Sequence, residues 1–190
     1  MNDISNSTVR YKLDSANSKF TVQAFAAGFL AGFGHNPIIG IRDFSGEVNF
    51  TPESFANASL SFVVKAQSLI VLDDIKEKDK QEIEQTMYDK VLETSQFPEI
   101  TFQSTSVTVT RIIPGRWKTK IIGDLTLHGI TRSLWIMGQI FLEGYTLRAK
   151  GDFTLRQTEF DIKLVSVAAG ALKLNDELKF EFDLSAVKEG

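Results

Sequence analysis

Gln96-Phe97-Pro98-Glu99-Ile100-Thr101-Phe102-Gln103-Ser104-Thr105 is the stretch on which the fold turns. Upstream of it, residues 73–94 carry charges along one side of a helical pattern, with Ile83, Met87 and Val91 at i, i+4 and i+8. Pro98 disfavours helical geometry in the residue before it, so the helix has to end there. Beyond Pro98 the apolar residues recur at every second position, the period of a strand with one buried face. The chain therefore passes from a helix over 73–94 into a strand within a few residues, and the remainder reads almost entirely as strands.

Period and punctuation predict strands at 19–26, 38–50, 59–66, 100–111, 117–127, 133–142, 145–155 and 177–184. Pro114-Gly115 and Glu143-Gly144 mark hairpin turns, and Gly123-Asp124-Leu125-Thr126-Leu127-His128-Gly129-Ile130-Thr131-Arg132 is a strand closing on a Gly turn. No linker, repeat or break in composition divides the chain, so residues 11–190 are expected to form one domain behind a tail of 1–10. Eight strands joined mostly by short turns predict an all-β fold: an eight-stranded antiparallel barrel with one helical segment around 73–94.

Alternation sorts the faces. Phe44, Val48 and Phe50 share one side of their strand, Leu60, Phe62 and Val64 one side of the next, and Leu178, Phe180, Phe182 and Leu184 point away from Lys179, Glu181 and Asp183. These apolar faces are expected to look inward. An eight-stranded barrel either fills its interior with side chains or encloses one small ligand, and alternation leaves both open.

Composition narrows the classes. At 190 residues with 43% hydrophobic and 24% charged, the chain suits one full barrel. With no Cys, disulfides and thiolate chemistry are excluded. A net charge of −3 and a pI near 5.5 argue against a nucleic-acid partner. Fifteen Phe against three Tyr and two Trp is a heavy aromatic load that fits a long interior surface. Residues 20–41 hold no charge, but four Gly, a Gln and His35-Asn36-Pro37 interrupt them, so they read as strand, bend, strand and not as a membrane span. Met1-Asn2-Asp3-Ile4-Ser5-Asn6-Ser7-Thr8 has neither a basic n-region nor an apolar h-region. As it stands the sequence is expected to be cytoplasmic, or periplasmic if a leader has been removed.

The Phe97-Pro98 strand and the Gly123 to Arg132 run occur in order with Tyr11-Lys12-Leu13-Asp14, Phe44-Ser45-Gly46-Glu47-Val48 and Leu174-Asn175-Asp176-Glu177-Leu178-Lys179-Phe180. Together they resemble the YceI family of polyisoprenoid-binding, lipocalin-like proteins across roughly residues 11–184. The helical segment departs from the family pattern, carrying Asp79-Lys80-Gln81-Glu82-Ile83 with no His. The resemblance implies a lipocalin-like barrel of bacterial origin that sequesters or carries a long isoprenoid chain, of quinone or prenyl-phosphate type. It also implies a homodimer. A bound isoprenoid or quinone is then the one cofactor-like molecule expected, with no metal.

The resemblance and the inward faces give ligand-binding candidates along the barrel wall: Phe20, Val22, Phe44, Val48, Phe62, Phe102, Leu125, Phe153, Phe180 and Phe182. The charge-free bend adds Phe29, Phe33, His35 and Asn36 at the mouth, where glycines let backbone N–H groups approach a head group or simply let a strand turn a barrel corner. Arg111, Arg116, Lys118, Lys120 and Arg132 form the most basic neighbourhood, read either as a receiver for a phosphate head or as a solvated hairpin tip. His35 and His128 come from distant strands without metal-ligand spacing, and no nucleophile motif occurs, so no catalytic residue is assigned. Two alternatives stand beside the carrier: an interaction module with a filled barrel, and an enzyme acting on a lipid head group through one of the histidines.

Overall fold

The computed structural model describes residues 7–27, 36–52, 54–167 and 172–190. Its strands in chain order are β1 Val9–Gln23, β2 Ala26–Ala27, β3 Ile38–Ile41, β4 Phe44–Phe50, β5 Ser59–Lys65 and β6 Leu69–Val71, then β7 Glu99–Ile113, β8 Arg116–Leu127, β9 Ile130–Glu143, β10 Thr146–Arg156, β11 Ser166–Val167, β12 Leu172–Leu174 and β13 Glu177–Lys188. Helix α1, Glu77–Thr86, lies inside the predicted helical segment and continues as a π-helical turn, Met87–Val91.

β1, β4, β5, β7, β8, β9, β10 and β13 hydrogen-bond in that order, and β13 pairs back to β1, closing an eight-stranded antiparallel barrel. The lipocalin-like expectation holds, with differences at the ends of elements. β1 begins at Val9, inside the stretch expected as a tail, and runs through residues 11–18 where the period-two pattern breaks. The break is a register shift between Asp14 and Lys19, stitched by polar side chains. Asp14 Oδ1 accepts from the Ala16 and Asn17 backbones, and Ser18 Oγ accepts from the Ser185 N–H at 2.9 Å. The hydrogen bond from the Asn17 side chain holds the Asp14 carboxyl below its usual range.

The strand expected over 38–50 divides at Arg42-Asp43, because its two halves serve different partners. β4 pairs with the first half of β1, whereas β3 pairs with Thr21 to Gln23 and carries β6 on its other side. The exposed edge of β6 is then blocked by the helical segment: the Val71 N–H donates to Glu84 Oε1 at 2.8 Å, and the Tyr88 hydroxyl donates to the Leu69 carbonyl at 2.6 Å. Leu92 is buried, and Ile83, Met87 and Val91 pack beside it on the barrel core. The helical stripe read from the sequence thus packs against the core at one end of the barrel.

Tight turns connect the long hairpins. His128 and Gly129 both have positive φ, 51° and 73°, the type I′ geometry that matches strand twist, and Gly supplies it at least cost. His128 leaves the apolar alternation here and folds under the end of the helical segment. Its Nε2 lies 2.6 Å from Glu93 Oε2, its Nδ1 lies 3.1 Å from the Phe160 carbonyl, and its ring packs 4.6 Å from that of Phe97. Both partners are acceptors, so both are satisfied together when both ring nitrogens carry protons. This clamp ties the Phe97-Pro98 junction to the β8–β9 turn and to the short helical turn Gln157–Phe160.

Candidate functional site

The barrel is hollow. A cavity of about 590 Å³ runs along its interior, from the loop at 51–58 to the face of α1. It exists because of how the wall is built. β8, β9 and β10 carry Gly123, Gly138 and Gly151, and at Gly151 an added Cβ would lie 2.5 Å from the Met137 carbonyl and 2.6 Å from the Phe182 ring. Phe182 thereby lies flat against bare backbone instead of reaching across the lumen. Rings of Phe20, Phe44, Phe62, Phe180 and Phe182 lie 5.2 to 6.5 Å apart in edge-on, tilted and stacked contacts, forming a continuous apolar wall.

One end is closed by its own packing. Tyr11 stacks on Phe50 at 5.5 Å, Phe50 on Phe55 at 5.0 Å, and Phe55 meets Trp117 edge-on at 5.1 Å, with Leu147 and Ala186 buried beneath. Burial there raises the Tyr11 hydroxyl above its usual pKa. At the other end the cavity reaches α1 on one side and Pro37, Lys173 and Leu174 on the other.

Of the wall positions expected to bind a ligand, Phe20, Val22, Val48, Phe62, Phe102, Leu125, Phe153, Phe180 and Phe182 line the cavity. Phe44 is buried but sits behind that surface, its ring 5.2 Å from Phe62 and 6.3 Å from Phe20. Asn36 is exposed, and its Oδ1 accepts the Ala26 N–H at 2.8 Å, holding the base of the bend. Phe29, Phe33 and His35 lie outside the described residues. His128 is committed to the clamp described above. The basic neighbourhood does not gather at the cavity: Arg116 bonds Gln139 and covers Phe141, Lys120 lies over Trp135, and Arg132 donates to the Glu159 carbonyl.

Sequence reasoning missed several lining groups. Asp79 and Glu82 belong to the charges of the helical pattern, yet with Thr86 they share the spacing of Ile83 and Met87 and line the cavity with them. That spacing was visible in the sequence. Gln157 was not detectable: it is 4% exposed, its Nε2 donates to the Asn175 carbonyl at 2.9 Å, and it reaches the cavity from a short helical turn with no pattern of its own. The neighbouring Asp176 accepts from the Thr158 N–H and hydroxyl at 2.8 and 2.7 Å, which holds its carboxyl below the ordinary range. Among the described residues no group of three or more His, Asp or Glu is placed to hold a metal ion, and no helix is long and apolar enough to cross a membrane.

The fold is shared with solved structures at low identity. BcnA from Burkholderia cenocepacia superposes with a TM-score of 0.70 at 18% identity, over 92% of this chain and 99% of that one. A polyisoprenoid binding domain from Saccharophagus degradans, implicated in plant cell wall breakdown, gives 0.66 at 12% identity, over 94% and 98%. The Campylobacter jejuni YCEI protein gives 0.58 at 15% identity, over 80% and 84%. No curated protein sequence matches the chain significantly. The model of the YceI-like domain matches residues 11–186, nearly the whole barrel with its helical segment, and the chain belongs to that family.

Proposed function

We propose that the barrel binds and carries a long apolar lipid, an isoprenoid of quinone or prenyl-phosphate type, with its tail threaded along the lumen. The observation that carries this is the cavity itself: about 590 Å³, walled by Phe, Leu, Ile and Val side chains from the Phe55 end to α1. That volume lies within the range of small-molecule sites, roughly 300–1,000 Å³. At about 30 Å³ per chain carbon, the space one water takes in the liquid, it has room for on the order of twenty carbons. Burying those at about 0.8 kcal/mol each provides about 16 kcal/mol gross, against roughly 4–15 kcal/mol of association cost. Membership of the family, and the fold shared with a polyisoprenoid binding domain, support the same choice of ligand class.

Mass spectrometry of an organic extract, from protein purified without detergent, tests the proposal. A stoichiometric isoprenoid or quinone is the expected result. An empty protein that also takes up no added isoprenoid overturns it. The intact mass under native conditions tests the accompanying proposal of a homodimer.

A further inference from the structure

Charge at the mouth of the cavity is one-sided. Asp79, Glu82, Ile83 and Thr86 of α1 and Met87 of the turn that continues it line the lumen, at the three-to-four-residue spacing of one helical face. β12 contributes Lys173 to the same lining. Those three are the ionisable side chains lining the cavity among the described residues, two acids against one base. Asp79, Glu82 and Lys173 have no side-chain hydrogen-bond or ion-pair partner among the described residues, so none of their charge is already spent. By composition, residues 28–35 and 168–171 contain no Lys, Arg, Asp or Glu, and one His, His35. The helix N-terminus offers an anion little, because Glu77 and Asp79 already occupy its first turn. Arg116, Lys120 and Arg132 lie elsewhere, on Gln139, Phe141, Trp135 and the Glu159 carbonyl, and neither Arg111 nor Lys118 lines the cavity.

We propose that Asp79 and Glu82 make this mouth a filter that admits isoprenoids with an uncharged polar head, an alcohol or a quinone, and rejects those ending in phosphate. The inference rests on the lipid-carrier reading and narrows it. A tail seated in the lumen brings its head up between α1 and β12. A phosphate head carries close to two negative charges at neutral pH. It then meets four repulsive and two attractive unit pairs, a net of two. At a separation of about 6 Å and the dielectric of bulk water, each net pair is worth about threefold in affinity, so the penalty is about tenfold. An alcohol or quinone incurs none.

The test compares geranylgeraniol with geranylgeranyl phosphate, which share one tail, by equilibrium binding to the delipidated protein. At an ionic strength of about 0.01 M, where screening is weak, the alcohol should bind about tenfold more tightly, and the gap should close toward 1 M salt. In D79N/E82Q only the two attractive Lys173 pairs are left, so the preference should reverse to about tenfold in favour of the phosphate; in K173M, with four repulsive pairs, the gap should widen to about a hundredfold. Both carboxylates are exposed, so a thermal melt of D79N/E82Q should match the parent and exclude misfolding. Phosphate binding as tight as the alcohol, or a gap that survives in D79N/E82Q, overturns the filter and leaves the carrier standing. If neither lipid binds, both fall.

Discussion

Replacing Ala149 with Leu separates a hollow barrel from a filled one. Ala149 sits in β10 between Ile140 and Leu184 of the adjoining strands, and it lines the cavity. The substitution adds three carbons, about 90 Å³ at roughly 30 Å³ each, or about one-sixth of the 590 Å³ lumen. In a packed core such an insertion costs about 1–3 kcal/mol. For a domain of this size each kcal/mol moves Tm by about 2–4 °C. Here the new methyl groups meet empty space, so the Tm of lipid-free protein should hold or rise. The same carbons displace about three carbons of bound tail at about 0.8 kcal/mol each, or about 2.4 kcal/mol, which weakens binding of geranylgeraniol about fiftyfold. Calorimetric melting of the delipidated A149L protein, followed by lipid titration, reads both numbers. A Tm lowered by more than about 5 °C with lipid affinity intact would refute the reasoning.

Three further outcomes are expected. Phe160, 1% exposed beneath the His128 clamp, should cost about 3–5 kcal/mol on truncation to Ala, measured by urea unfolding; a loss under about 1 kcal/mol would show that the turn is not part of the core. Gly151→Ala, a change that stabilises many strained-free sites, should here destabilise by about 1–3 kcal/mol, since its Cβ meets the Met137 carbonyl and the Phe182 ring; a raised Tm would contradict the close approach. Hydrogen bonds from Arg148, at 2.5 and 2.7 Å, and from Lys150 hold the Asp183 carboxyl below its ordinary range, against the opposing effect of burial. A depressed folded pKa contributes stability above the unfolded value, about pH 4, and loses it as pH falls through the folded one. Asp183→Asn should therefore flatten the acid limb of a stability profile below about pH 4, and an unchanged limb would rule the pair out as its source.

Legibility in the sequence followed local pattern. The Phe97-Pro98 junction, the period-two faces of β5 and β13 and the Gly129 turn were readable because a few adjacent residues determine each. β1 was read only from residue 19, since the bulge at Asp14 to Ser18 breaks the alternation while side-chain hydrogen bonds keep the strand in the sheet. β6 was missed because three residues carry no period; it is a strand by virtue of β3 beside it and Glu84 and Tyr88 across its edge. Alternation from Leu125 and Leu127 would put His128 on the outer face, and the positive φ of the turn places it under Glu93 and Phe160 instead.

By itself the sequence determined that the chain forms strands around one amphipathic helix and that their apolar faces look inward, because alternation and helical spacing are properties of neighbouring residues. Only the tertiary structure decided that side chains leave the interior hollow. Whether side chains from opposite walls meet depends on the barrel's circumference and on glycines such as Gly151 that let Phe182 lie flat, and no single strand records either. The polar lining is decided in the same way: Lys173 is far in sequence from Asp79 and Glu82, and the three share a cavity only because the fold brings α1 and β12 to it.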